Sequence, residues 1–133
     1  MSNLIKAIED GMTELLDAEF SDGVTTMKVF TLADGAPYRS VSCNSISDGI
    51  DDQDGTITVR MTIDTIQKDR SEAILTANKL RTIFPLYNVE FADCLCVMAK
   101  NYPISGPTRM MSGTMPVWHV SVNLKVIVSD IGG

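Results

Sequence analysis

Residues 118–129, WHVSVNLKVIVS, put Trp118, Val120, Val122, Leu124, Val126 and Val128 on one parity and His119, Ser121, Asn123 and Lys125 on the other. Side chains of a strand alternate between its two faces, so this segment reads as a strand with one buried face. A slip of one residue would turn the whole apolar set to water. Residues 56–64 repeat the pattern. Ile57, Val59, Met61 and Ile63 alternate with Thr56, Thr58, Arg60, Thr62 and Asp64. Both segments need an apolar layer on one side only.

Two helices are expected to supply it. Over residues 3–17, Leu4, Ile5, Ile8, Met12, Leu15 and Leu16 recur at spacings of three and four, which makes one stripe. Asn3 is the expected N-cap, Gly11 weakens the middle, and Ser21-Asp22-Gly23 turns the chain. The second helix opens at Asp69-Arg70-Ser71-Glu72, a capping box with Asp69 in the capping role. Ala73, Ala77, Leu80 and Phe84 form its inward stripe, and Pro85 stops it. Val24–Leu32, Tyr38–Ile46 and Cys94–Tyr102 read as further strands, with turn residues at Asp34-Gly35-Ala36-Pro37. Ser47–Gly55, SDGIDDQDG, reads as an acidic loop. Ile104–Pro116 reads as a second loop, bracketed by proline and carrying Met110, Met111 and Met115. The order predicts one α+β domain over 1–133, a mostly antiparallel sheet with two helices packed on one face.

The chain has 133 residues, 44% of them hydrophobic and 21% charged, which suits one domain with a real core. No window resembles a signal peptide and no apolar run would span a bilayer, so a cytoplasmic protein without membrane contact is expected. Three cysteines argue against a disulfide framework. A net charge of −6 argues against tight binding to a nucleic-acid backbone. The charge is uneven: residues 1–54 hold 11 acids and 3 bases, residues 55–133 hold 6 acids and 8 bases. Such polarity suits self-association of opposite patches; the plainer reading is a solvated surface.

Catalytic chemistry finds little support. The one histidine, His119, lies on the polar face of the last strand, and nothing nearby in sequence supplies a nucleophile or an orienting carboxylate. A solvent or interface histidine is the simpler reading. Cys43, Cys94, Cys96 and His119 have the composition of a Cys₃His zinc site. The spacing is wrong for it: Cys94 and Cys96 are expected to point together into the core. The acidic loop fails as a calcium loop, because Ile50 and Met61 fall where the first and last ligands belong. The terminal Gly132-Gly133 resembles that of ubiquitin-like modifiers, but those folds open with a hairpin, not a helix. No catalytic, cofactor or metal residue is therefore named, and an interaction or structural protein is expected rather than an enzyme. Methionine serves adaptable binding surfaces, so two readings of Met110, Met111 and Met115 stay open: contact surface or core edge.

The pattern resembles the tail terminator proteins of long-tailed bacteriophages and the related minor capsid and tail-to-head joining proteins. The matching parts are Ile5–Leu16, Asp51-Asp52-Gln53-Asp54-Gly55, Thr56–Thr65, Asp69–Phe84 and Trp118–Ser129. The likeness is one of order and spans nearly the whole chain; residues 24–46 are its weakest part. The resemblance implies a non-enzymatic virion component at the head–tail junction, assembled in the host cytoplasm. It implies a ring, typically of six subunits, on the last ring of the tail tube. That ring ends tube polymerisation and offers a docking surface to the head–tail connector. It implies no cofactor, and DNA that only passes through the channel. By position, Arg109, Met110, Met111, Met115, Asp51, Asp52 and Asp54 are the expected contact residues. The alternatives are a tail tube or connector subunit, a non-phage protein-interaction module, and a small enzyme with a site scattered over loops.

Overall fold

The alternating run at residues 118–129 is the middle of the sheet. The computed structural model describes residues 4–21, 24, 26–27, 37–47, 56–92 and 94–129. Its elements are α1 (Leu4–Glu19), β1 (Thr26–Met27), β2 (Tyr38–Ser47), β3 (Thr56–Gln67), α2 (Arg70–Ile83), β4 (Leu86–Glu90), β5 (Leu95–Asn101), β6 (Ser105–Ser112) and β7 (Met115–Ser129). The strand order is β1-β2-β3-β7-β5-β4, with β6 also paired to β7. All pairings are antiparallel except β1 with β2. The fold is α+β, as expected.

β7 and β3 pair without a break from Gln67 opposite Trp118 to Thr56 opposite Ser129. On its other side β7 serves two strands in tandem, β6 along residues 115–121 and β5 along 124–129. The alternation works as the sequence predicts. Val59, Met61, Ile63, Val120, Val122, Leu124, Val126 and Val128 are all buried on the helix-covered face. Against them lie Ile8, Met12 and Leu16 of α1 and Ala73, Ala77 and Leu80 of α2. Ile5, expected on the inner stripe, is 44% exposed. Cys94 and Cys96 are core residues, as the spacing predicted.

Three expectations are corrected. Ile104–Pro116 is no loop; it contains β6 and the start of β7. Leu86–Glu90 is a strand that periodicity did not show. Asn88 takes φ 54, so Leu86 and Val89 turn inward three residues apart and the alternation disappears. In β5 a register shift between Cys96 and Met98 has the same effect on Cys96 and Ala99. Asp69 does hold the N-cap position of α2, but its side chain makes no capping hydrogen bond. Most of the predicted strand at 24–32 and of the acidic segment at 47–55 lies outside the described residues, though Ser47 belongs to β2.

Polar contacts tie α1 to its edge of the sheet. The register of β2 shifts between Cys43 and Ser45, and the Cys43 N–H donates to Glu9 Oε2 at 3.0 Å. Burial first, then the Glu9 charge, pushes the Cys43 thiol up to about 12, so it stays protonated at neutral pH. Asp17 Oδ1 accepts from Thr26 N at 3.0 Å and Thr26 Oγ1 at 2.7 Å. The fully buried Arg39 lies over the Phe20 ring at 3.8 Å.

Gly11 does more than weaken a helix. It is the point where α1 meets Phe91, and a Cβ there would overlap the ring. Gly11→Ala would improve helix propensity by up to ~1 kcal/mol. Overpacking outweighs that gain, so urea unfolding should show a net loss of about 1–3 kcal/mol. An unchanged or raised midpoint would mean that Phe91 yields freely.

Candidate interaction surface

The methionine segment is a β-hairpin. Thr108 to Ser112 pair with His119 to Met115 in order, so two residues, Gly113 and Thr114, make the turn. Gly113 has φ +63 in its first position, where a two-residue hairpin loop of type II′ calls for glycine. The prolines that suggested a loop sit where a strand tolerates them. Pro107 lies in the register shift between Ser105 and Thr108, next to Gly106. Gly106 has φ +102, and a Cβ there would run into the His119 carbonyl oxygen. Pro116 lies beyond the end of β3, whose last pair is Gln67 with Trp118. A missing N–H is tolerated at bulges and strand edges.

The hairpin separates the three methionines. Met110 packs against Ile66 and Val117 in a small cluster apart from the main core. Met111 and Met115 are 51% and 59% exposed, and Arg109 is exposed beside them. Both earlier readings therefore apply, one to each part: Met110 is core edge and the other two are surface. Among the described residues β6 pairs with β7 alone, which leaves its outer edge there a row of backbone donors and acceptors. Asp51, Asp52 and Asp54 lie outside the described residues.

The sheet face turned away from the helices carries a second feature. Arg60 of β3 lies opposite Lys125 of β7, and Lys125 lies opposite Lys100 of β5. Three cations stand side by side across three strands, a cost to the isolated fold because like charges directly opposite repel. Among the described residues no carboxylate pairs with any of them. Arg60 Nη1 donates to Tyr102 Oη at 3.0 Å. That hydrogen bond first, then the charges of Arg60, Lys125 and Lys100, holds the Tyr102 phenol below its ordinary value. Tyr102 and Tyr87 are 41% and 62% exposed, so the basic row is flanked by aromatic surface.

His119 has a carboxylate in reach, supplied by a distant part of the sequence. Its Nε2–H donates to Asp64 Oδ1 at 2.7 Å. The partners are 55 residues apart and meet because β3 and β7 run in register. Only the pairing could reveal this, since neither residue sits in a recognisable motif. Cys43, Cys94, Cys96 and His119 do not converge. Among the described residues no group of three or more His, Cys, Asp or Glu side chains could hold a metal ion. A cavity of about 430 Å³ opens between the end of α1 and α2 beside Phe20 and Leu75, and Lys79 and Glu19 approach at 3.8 Å beside it. No helix among the described residues is long and apolar enough to cross a membrane.

The chain matches no family model and no curated protein sequence.

The state of Tyr102 reports on the basic row. Arg60→Ala removes its hydrogen-bond donor and nearest cation, so an ultraviolet absorbance titration should show the phenol ionising closer to 10.0. A titration superimposable on that of the unsubstituted chain would mean the row does not act on Tyr102.

Proposed function

We propose that this chain is a non-enzymatic virion protein that caps the tail tube of a long-tailed phage as a closed ring. The ring ends tube growth and offers a docking surface to the head–tail connector. The order of elements that resembles tail terminators motivates the reading. The observation that carries it is the β6–β7 hairpin, which presents Met111, Met115 and Arg109 beside an open strand edge. A cap must bind the end of a polymer through a surface unlike the one that continues it. Exposed methionines adapt to a partner's shape, and an open edge can accept a partner's strand. No step of this function needs a cofactor.

Negative-stain electron microscopy of the purified chain at high concentration, with and without magnesium, tests the reading. Closed rings of fixed diameter that never stack are the expected outcome. Long tubes would replace the cap by a tube subunit.

The hairpin can be tested separately. Met111→Ser with Met115→Ser should leave the urea midpoint unchanged within about 0.5 kcal/mol, because both side chains are exposed. The same pair should weaken assembly on tails. Met110→Ser should instead cost about 1–3 kcal/mol, since it empties the cluster with Ile66 and Val117. Unimpaired assembly by the Met111 and Met115 variant would remove the hairpin from the contact.

A further inference from the structure

Among the described residues, α1 in the helical layer is acidic and the uncovered face of the sheet carries a row of bases. α1 carries five acids, Glu9, Asp10, Glu14, Asp17 and Glu19, and one base, Lys6. Asp10, Glu14 and Asp17 follow at spacings of four and three, on the side of the helix away from the buried Ile8, Met12 and Leu16. They form an acidic stripe on the outer side of α1, within which Asp10 also pairs with Lys6 at 2.8 Å and Asp17 accepts from Thr26. The uncovered face of the sheet carries the row of Arg60, Lys100 and Lys125 beside Tyr102 and Tyr87. One subunit thus presents an acidic helix on one side and a basic, aromatic sheet face on the other.

We infer that the basic row binds the acidic α1 stripe of a second copy of this chain, and that this contact joins neighbouring subunits. The inference rests on the ring reading and names the surfaces that would make the ring. Complementary patches on opposite sides of a subunit give a heterologous, head-to-tail contact, the kind that closes a ring. The contact accounts for two features that are otherwise costs. Three adjacent cations repel in the isolated subunit and are neutralised when carboxylates reach them. Two exposed tyrosines become interface anchors with an apolar body and a polar tip. The hairpin is left free for a different partner.

Charge reversal in two complementary variants tests the contact. Lys100→Glu with Lys125→Glu makes the sheet face acidic. Asp10→Lys with Glu14→Lys makes the α1 stripe basic. All four side chains point to solvent or to the open face, and circular dichroism checks that both variants fold. Sedimentation velocity of the unsubstituted chain should show self-association that weakens with added salt. Each variant alone should associate about tenfold or more weakly, because like charges then face each other. An equimolar mixture of the two should regain association, since every sheet face again meets an α1 stripe of opposite sign.

Variants that associate as the unsubstituted chain does, or a mixture that fails to regain association, would overturn this contact. Rings still seen by microscopy in those variants would leave the ring standing with other surfaces. An unsubstituted chain that stays monomeric at about 1 mM, a concentration at which weak contacts of about 4 kcal/mol are half formed, would also overturn it. So would a row that binds a DNA duplex while the charge reversals leave self-association unchanged.

Discussion

The pairing of β3 with β7 is the contact from which the other features take their positions. Twelve consecutive residues of β3 lie opposite β7 without a register shift. Both strands are apolar on one face, so a slip by one residue would expose both apolar sets together. That shared penalty holds the register more firmly than either strand could. With the register set, Val59, Met61 and Ile63 join Val122, Leu124 and Val126 in one continuous apolar surface. α1 and α2 cover that surface; the face behind it carries Arg60, Lys125 and His119, with Ile66 and Val117 buried beside Met110.

The same register creates the features of the open face. It sets Arg60 against Lys125, and β5 extends the row to Lys100. It brings Asp64 within 2.7 Å of His119. The length of β7 decides the rest. Its first three residues, Met115 to Val117, run past the end of β3 and pair with β6, so the hairpin tip extends beyond β3 with Met111 and Met115 exposed. The acidic outer side of α1 and the basic row of the open face then lie on opposite sides of the sheet. The proposed ring needs two unlike surfaces of this kind, and a third, the hairpin, to meet the tube.

Much of the scaffold was legible in the residues. The strands at 56–64 and 118–129, both helices and the burial of Cys94 and Cys96 follow from periodicities of 2 and 3.6, which are local properties. The misreadings share a cause. β4 was invisible because Asn88 breaks its alternation with a left-handed backbone. β6 resembles a loop in sequence because Pro107, Gly113 and Pro116 are turn residues by composition. Each is tolerated only because of where β3 ends and where the register shifts. A pattern of residue types nominates Asp69 as a capping carboxylate, but a hydrogen bond also needs the side chain to point at the amide.

The order of residues was enough to specify which faces are apolar, where helices begin and end, and that acids gather in the first half and bases in the second. These depend on neighbours within a few positions. It could not specify that the acidic α1 and the row of Arg60, Lys100 and Lys125 end on opposite sides of the sheet, that His119 meets Asp64, or that two methionines of three stay in water. Those outcomes depend on which strands lie side by side and in what register. Burying both apolar faces together sets that register, and this is a property of the packed sheet as a whole.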